Sequence, residues 1–182
     1  MLRVLAVCTH NQTRSVMMAA LLQQHADAVG LYARVLSAGL HGGGKPATDR
    51  TVRMLAARGL DVSTHRSTRL EARYVGYADL VVCAEHGHVV SICGVHAGAF
   101  AKTFTLPEIV ELGESVGPRR RAPISRWLGQ VGDKRVDPVD YLDQPGPAVG
   151  EIDDPTGSAP AAWNATFDDL DQLTRRLASV LS

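Results

Sequence analysis

The sequence predicts a single domain with an α/β fold, in which helices cover both faces of a four-stranded parallel sheet. Apolar segments of strand length alternate along the chain with segments whose apolar residues recur at helical spacing. Parallel strands need crossover connections, and these crossovers place helices on the two faces of the sheet. A chain of 182 residues, 45% of them hydrophobic, is long enough to bury one core. A flavodoxin-like three-layer sandwich is the simplest arrangement of these elements.

The four strands are predicted from short apolar runs that polar or glycine-rich segments bound. The first run is interrupted only by Arg3, which indicates a strand buried on both faces. The second run is ended by Ser37, Ala38 and Gly39, ahead of a loop with three consecutive glycines. The predicted strands span residues 2–7, 31–36, 80–83 and 103–106.

Helices are predicted where apolar residues recur every three to four positions. The first helix follows the polar loop after the first strand, and Gly59 supplies a stop signal for the second. The last helix carries two aromatic rings and four leucines at helical spacing, so we expect it to close the fold. The predicted helices span residues 15–28, 48–58 and 163–181, with further helical patterns between the strands.

The pattern weakens over residues 114–150, where five prolines and the basic run 119–121 interrupt it. Such punctuation favours an irregular insertion with short helices over a second domain. We therefore expect one domain over residues 1–182, with this insertion in its C-terminal half. The basic run could face an acidic partner, but a solvated charge run is the simpler interpretation.

Charge and cysteine content exclude several classes of protein. Lysine plus arginine (19) equals aspartate plus glutamate (19), so no net field attracts nucleic acid or an anionic membrane. Three cysteines do not form a disulfide framework, and their spacing does not match a zinc site. The apolar N-terminus is too short for a signal peptide or a membrane span. These observations predict a cytoplasmic protein with no metal and no other cofactor.

A polar loop, residues 8–15, lies where the first strand gives way to the first helix. Ligands bind beyond the carboxyl ends of parallel strands, and backbone N–H groups at a helix N-terminus attract anions. Cys8 is favoured there as the thiolate, the form that attacks, and Arg14 can hold two phosphate oxygens with its planar fork. The bland alternative is a buried strand-end cysteine and a solvated arginine. The predicted phosphate-binding residues are Thr9, His10, Asn11, Gln12, Thr13, Arg14 and Ser15.

With this loop the sequence resembles the low-molecular-weight protein tyrosine phosphatase family, whose signature is Cys, five residues, Arg and Ser after an N-terminal strand. Further matching segments follow in the family's order: 37–39, 59–61, 65–67, 79–83 and 154–155. The resemblance implies metal-independent hydrolysis of phosphomonoesters through a cysteinyl-phosphate intermediate. It also implies that Asn11 adopts a left-handed conformation that stiffens the loop, and that Ser15 donates a hydrogen bond to the Cys8 thiolate.

Three loop positions depart from the family pattern. His10 replaces a glycine, which implies backbone strain unless the position accepts a side chain. Val16 replaces a proline that often follows the serine. Thr13 replaces a second loop cysteine, so a disulfide within the loop cannot protect Cys8.

Phosphate ester cleavage also needs a group that protonates the leaving oxygen and later activates water. Asp137 and Asp154 both precede a proline, which stiffens the loop that would present the carboxyl group. The resemblance selects Asp154, because the family's aspartate precedes a short loop and the C-terminal helix. The alternative for Asp154 is a turn or capping aspartate.

The substrate is less clear from the sequence than the chemistry. Phosphotyrosine in proteins is the family default, but Thr156 stands where relatives carry an aromatic residue after the Asp-Pro pair. The glycine-rich segment after Gly39, which we expect at the mouth of the site, offers only His41 as a side chain that could stack on a phenyl ring. A small phosphorylated metabolite, such as a nucleotide or sugar phosphate, therefore stays open beside a phosphorylated protein.

Two further functions stay open from the sequence. A thiol-coupled arsenate reductase would use Cys8 with Cys83 and Cys93, although the two later cysteines lie further apart than in redox relatives. A phosphate-sensing module would lack the acid or the nucleophile, and both are present. Three histidines could be read as metal ligands, but their spacing favours capping or surface roles: His65, His86 and His88.

Overall fold

The fold is an α/β sandwich with a parallel sheet between two layers of helices, as the computed structural model shows over residues 1–96, 98–143 and 150–182. The strands are β1 Leu2–Cys8, β2 Ala33–Gly39, β3 Leu80–Cys83 and β4 Thr103–Thr105. The helices are α1 Arg14–Ala28, α2 Asp49–Ala56, α3 Ala72–Tyr77, α4 His86–Cys93, α5 Leu106–Val116, α6 Ile124–Gly132, α7 Pro138–Asp143 and α8 Pro160–Leu181. A 3₁₀ turn, Ala99–Lys102, precedes β4.

The sheet has the order β2-β1-β3-β4, and all its pairings are parallel. The register pairs Cys8 with Gly39 and Val7 with Cys83, so the strands end together at one edge. Successive residues of β1 face opposite layers of helices, which explains its nearly continuous apolar sequence. One core cluster lies under α1, α5, α6 and α8, and the other lies under α3, α4 and α7.

Element ends differ from the sequence prediction where local hydrogen bonds decide them. The second strand begins at Ala33 because the Leu31 N–H is bound by the Ala26 carbonyl at the end of α1. The fourth strand stops at Thr105, whose hydroxyl accepts the Glu108 N–H and so caps α5. The last helix begins at Pro160 and not at residue 163. Proline is favoured in the first turn of a helix, where its missing N–H costs nothing.

The 114–150 segment contains the short helices that the sequence predicts, and α6 packs its apolar face into the main core. A buried ion pair fixes the chain beyond α6, because Arg135 binds Glu108 at 2.6 Å and stacks on the Phe100 ring. The Tyr141 hydroxyl donates to the same carboxylate at 3.1 Å, which ties α7 to α5. Residues 144–149 lie outside the described part of the chain.

In the basic run, Arg119 donates to the carbonyls of Leu181 and Ala122, whereas Arg120 and Arg121 are exposed. The solvated interpretation therefore holds for the last two arginines, while Arg119 binds the end of α8. Across the described ranges no helix is long and apolar enough to cross a bilayer.

Candidate active site

The loop between β1 and α1 places Cys8 at the carboxyl edge of the sheet, under the first turn of α1. Its sulfur accepts the Asn11 backbone N–H at 3.3 Å and lies 3.0 Å from the Ser15 hydroxyl. The cysteine is 3% exposed, so these donors act on the sulfur in a low-dielectric setting. The loop thus directs two hydrogen-bonding groups at the Cys8 sulfur.

Asn11 holds the loop in shape from its centre. Its φ of 54° is left-handed, as the resemblance implies, and its side chain is buried. The amide nitrogen donates to Ser15 at 3.0 Å and to Ser37 at 2.8 Å, and the amide oxygen accepts the Thr68 N–H at 2.8 Å. Because the Ser15 oxygen already accepts from Asn11, its own hydrogen is free to point at the sulfur. His65 binds the Asn11 carbonyl at 2.8 Å.

Gly39 lets the loop pack directly on the end of β2. A Cβ at this position would lie 2.7 Å from the Asn11 nitrogen and 2.8 Å from the His10 carbonyl carbon. Both atoms belong to the backbone of the loop, so a side chain here would displace the loop. The glycine at the end of the family-like segment 37–39 is thus required sterically.

The outer residues of the loop are His10, Gln12 and Thr13. His10 lies outside the left-handed region and its ring is exposed, so this position accepts a side chain, the condition under which no strain was expected. The centre of its ring lies 6.1 Å from the centre of the His41 ring, and these two imidazoles stand at the outer edge of the candidate site, called the rim below. Gln12 donates to the Pro46 carbonyl at 2.9 Å, and Thr13 is buried.

Arg14 turns back over the loop and is only 2% exposed. One terminal nitrogen pairs with Glu85 and donates to the Ile152 carbonyl at 3.0 Å. The other donates to Asp154 at 2.8 Å and lies 3.5 Å from the Thr9 hydroxyl. The guanidinium is therefore held between two carboxylates in the free site. Sequence reasoning missed Glu85, although its place two residues after β3 puts it at the same sheet edge.

Asp154 reaches the loop because residues 150–155 run along the ends of the strands. The Ile152 N–H donates to the Ala84 carbonyl at 2.8 Å, which anchors this segment beside β3. Burial alone would raise the pKa of Asp154, but hydrogen bonds from Thr156 and the charge of Arg14 together lower it below its usual value. The carboxylate is thus ionised in the free site.

The alternative candidate for the general acid, Asp137, caps a helix. Asp137 accepts the Val139 N–H at 2.9 Å, at the start of α7. This contact is the ordinary role of an aspartate before a helix. The structure therefore brings Asp154, and not Asp137, to Arg14.

The three histidines bind neighbouring protein atoms. His86 binds the Tyr141 carbonyl at 2.8 Å, and His88 accepts the N–H of the residue that precedes α4. His65 binds the loop as described above. A capping role is confirmed for His88, but a surface position is wrong for both His86 and His88, which are buried. In the part of the chain that the structure describes, no cluster of three or more potential ligands could hold a metal ion.

The two remaining cysteines lie on the opposite side of the sheet from Cys8. Cys8 belongs to the core cluster under α1, whereas Cys83 belongs to the cluster on the opposite face of the sheet. Burial raises the pKa of the Cys83 thiol well above its usual value, and burial also raises that of Cys93. Neutral thiols are poor nucleophiles, and the sheet separates Cys83 from Cys8. This arrangement does not favour a thiol relay.

Comparison with known proteins defines the class. Residues 3–114 match the sequence model of the family "Low molecular weight phosphotyrosine protein phosphatase". This match covers more than half of the chain, so the chain belongs to that family. It is a cysteine-dependent phosphatase with the predicted α/β fold.

Individual relatives fall into two groups. The chain is 34% identical over 107 residues to a probable low molecular weight protein-tyrosine-phosphatase EpsP of Ralstonia nicotianae, covering 58% of this chain and 71% of the relative. It is 29% identical over 180 residues to a protein-arginine-phosphatase of Geobacillus stearothermophilus, covering 98% and 95%.

Similar solved structures include both kinds of phosphatase: a low molecular weight protein tyrosine phosphatase from T. tengcongensis superposes with a TM-score of 0.72 at 25% identity, covering 97% of each chain. A YwlE mutant from Bacillus subtilis superposes with a TM-score of 0.74 at 27% identity, covering 98% of this chain and 97% of that one. A third similar structure, at 26% identity and a TM-score of 0.73, is a cysteine-to-serine variant of the YwlE arginine phosphatase with a phosphorylated active-site serine, covering 97% of this chain and 93% of that one.

Proposed function

We propose that this phosphatase hydrolyses phosphorylated protein side chains without a metal, through a phosphoryl group carried by Cys8. The observation that supports this most is the convergence of three groups on one loop. The Cys8 sulfur receives two hydrogen-bond donors, Arg14 covers the loop, and Asp154 lies 2.8 Å from Arg14. A nucleophile, an electrostatic clamp and a proton donor are the groups that phosphoryl transfer through cysteine requires.

The reaction proceeds in two displacements. The Cys8 thiolate attacks phosphorus and forms the S–P bond while the bond from phosphorus to the leaving atom breaks. Asp154 gives its proton to the leaving atom. Water then attacks the phosphorylated cysteine, Asp154 takes a proton from this water, and the S–P bond breaks to release phosphate and the thiolate. The loop amides and Arg14 neutralise the charge on the phosphoryl oxygens throughout.

Substrate binding prepares Asp154 for this role. In the free site its pKa is lowered, so the carboxylate is charged and pairs with Arg14. A phosphoryl dianion in the loop takes over the Arg14 guanidinium and places negative charge beside the carboxylate. Both changes raise the pKa of Asp154, which allows it to bind and deliver a proton.

We expect Asp154→Asn to lower kcat/KM for substrates with poor leaving groups by about 10²–10³-fold, because those leaving atoms need a proton in the transition state that forms the S–P bond. An activated aryl phosphate leaves without one and should lose much less. A proton donor works only while protonated, so the fall in wild-type turnover as pH rises through its pKa should disappear. Steady-state rates on both leaving-group classes across pH check this.

Asp137→Asn is the matched control, since it also alters an Asp-Pro pair but only at the start of α7. It should behave as wild type on both substrate classes. A leaving-group-dependent loss in Asp137→Asn, with Asp154→Asn unaffected, would mean that the wrong aspartate has been assigned.

The mouth of the site favours phosphoarginine over phosphotyrosine. Its rim carries the imidazoles of His10 and His41, and Thr156 follows the Asp-Pro pair in place of an aromatic ring. The side chain of Glu85 is 35% exposed, so beside the proton donor Asp154 a second acidic group faces an incoming substrate. Carboxylates complement a guanidinium and not a phenyl ring. Two curated relatives that align over nearly the whole chain are protein-arginine-phosphatases.

Peptides of one sequence that carry either phosphoarginine or phosphotyrosine test this preference. The ratio of their kcat/KM values should favour phosphoarginine by about tenfold or more, and Glu85→Gln should reduce the ratio. A ratio of similar size in favour of phosphotyrosine would contradict the assignment. The same panel includes a nucleotide, a sugar phosphate, and arsenate with thioredoxin. Faster turnover of any of these would support the metabolite or reductase alternative instead.

A further inference from the structure

His88 is a buried residue beside the loop between β1 and α1. Its hydrogen bonds determine which nitrogen of the imidazole carries the proton. Its Nδ1 accepts the backbone N–H of Glu85 at 3.1 Å, at the start of α4. A ring nitrogen that accepts a hydrogen bond carries no proton, so the proton of the neutral ring lies on Nε2. His88 is 3% exposed, and burial lowers its pKa to about 4, so the ring is neutral at physiological pH.

The protonated Nε2 of His88 lies 3.1 Å from the hydroxyl oxygen of Thr9, the residue after the nucleophile. The Glu85 carboxylate is further from Nε2, at 3.7 Å, so the hydroxyl is the better acceptor. A terminal N–H of Arg14 also approaches the Thr9 oxygen, at 3.5 Å. Two donors thus face this oxygen, and its own hydrogen must point away from both.

The Thr9 hydroxyl lies beside the groups that we propose to act at the reacting end of the site. The Arg14 nitrogen that approaches the Thr9 oxygen also donates to Asp154, so the hydroxyl lies on the side of the loop where the leaving atom departs. A phosphoryl group bound by Cys8 and Arg14 would bring an oxygen to this side. A hydroxyl that can only donate in that place complements a negative oxygen.

We infer that Thr9 is a further substrate-contacting residue, whose hydroxyl donates to a phosphoryl oxygen, and that His88 is the positioning residue that orients this hydroxyl. The inference rests on the proposed function, because it requires a phosphoryl group in the loop. It gives His88 a role as a buried hydrogen-bond donor, in place of the surface role that the sequence suggested. It also explains why the cap of α4 is an imidazole, since only a side chain with a second nitrogen reaches both the cap and the hydroxyl.

Two substitutions isolate the proposed hydrogen bonds. Thr9→Val removes the hydroxyl at nearly constant volume, and His88→Asn keeps an acceptor for the α4 cap while it removes the donor to Thr9. Each should lower kcat/KM about tenfold, the worth of one buried hydrogen bond to a charged group. In the double variant kcat/KM should also fall about tenfold and not a hundredfold, because both substitutions break the same chain of hydrogen bonds from His88 through Thr9 to the phosphoryl oxygen. Thr9→Ser, which keeps the hydroxyl, should stay within about threefold of wild type.

Inorganic phosphate serves as a probe that does not depend on turnover. Its dissociation constant, measured by calorimetric titration, should rise in Thr9→Val and His88→Asn by the same factor, while the melting temperatures stay close to that of wild type. Wild-type affinity for phosphate in Thr9→Val, or losses that multiply in the double variant, would overturn the inference. Cys8→Ser, measured in parallel, separates this result from the function itself: turnover by Cys8→Ser contradicts the proposed function, whereas an inactive Cys8→Ser with an unaffected Thr9→Val contradicts only the role of Thr9.

Discussion

Cys8→Ser should lower steady-state phosphatase turnover by roughly 10⁴-fold or more, because a nucleophile that acts as a unit with its partners carries most of the rate. An alcohol is a far weaker acid than a thiol, so a serine at this position supplies a much poorer nucleophile, although its oxygen meets the same Asn11 N–H and Ser15 hydroxyl. The variant is measured with an aryl phosphate and with a phosphoarginine peptide.

The fold should be unaffected by this change. Serine is smaller than cysteine, and its oxygen can take the same two hydrogen bonds from Asn11 and Ser15. Inorganic phosphate should therefore still bind to Cys8→Ser. In the similar YwlE arginine phosphatase, a serine in place of the active-site cysteine carries a phosphoryl group, so a slow single phosphorylation is compatible with this prediction. Turnover within about tenfold of wild type would remove Cys8 as the nucleophile.

Arg14→Lys should reduce kcat/KM by about 10²–10³-fold, although it keeps the positive charge. The guanidinium uses two terminal nitrogens in the free site, one toward Glu85 and one toward Asp154. The same fork can bind two equatorial oxygens of the phosphoryl group in the transition state. A lysine ammonium is a single point of charge and cannot reproduce this geometry. It would also leave one of the two carboxylates beside the loop without its partner.

Arg58→Lys is the matched control for this substitution. Arg58 also pairs with a carboxylate, that of Asp171, but at the contact of α8 with the end of α2. The change there should leave kcat/KM within about twofold of wild type, since the pair is partly exposed and remote from the loop. If Arg14→Lys were equally silent, Arg14 would not belong to the mechanism.

Local sequence was sufficient to predict a loop between β1 and α1 and the elements that flank it. The loop is continuous in sequence, and its position between a buried strand and a helix follows from hydrophobic periodicity alone. Asn11 was expected in the left-handed conformation that it adopts, and Ser15 lies beside the Cys8 sulfur as expected. The ends of the strands and helices were less predictable, because single caps such as Thr105 decide them.

Contacts between distant segments could not be predicted from the same patterns. Glu85 meets Arg14 across 71 residues, and this pair depends on the parallel register that places the end of β3 beside β1. The role of Gly39 likewise depends on the backbone of the loop that packs against it. His88 gave an ambiguous signal, since a cap, a ligand and a surface residue share one sequence pattern. The pairing of Arg135 with Glu108 in the core also has no local signature.

The most direct test of the mechanism is to trap the phosphorylated intermediate. Asp154→Asn should form it from an activated aryl phosphate, which needs no proton, and then hydrolyse it slowly because water lacks its base. The reaction is quenched with denaturant within the first turnover, and the digested protein is analysed by mass spectrometry. The account predicts that the peptide with Cys8 gains the mass of one phosphoryl group. An unmodified Cys8 peptide during active turnover, or a phosphoryl group on another residue, would contradict it.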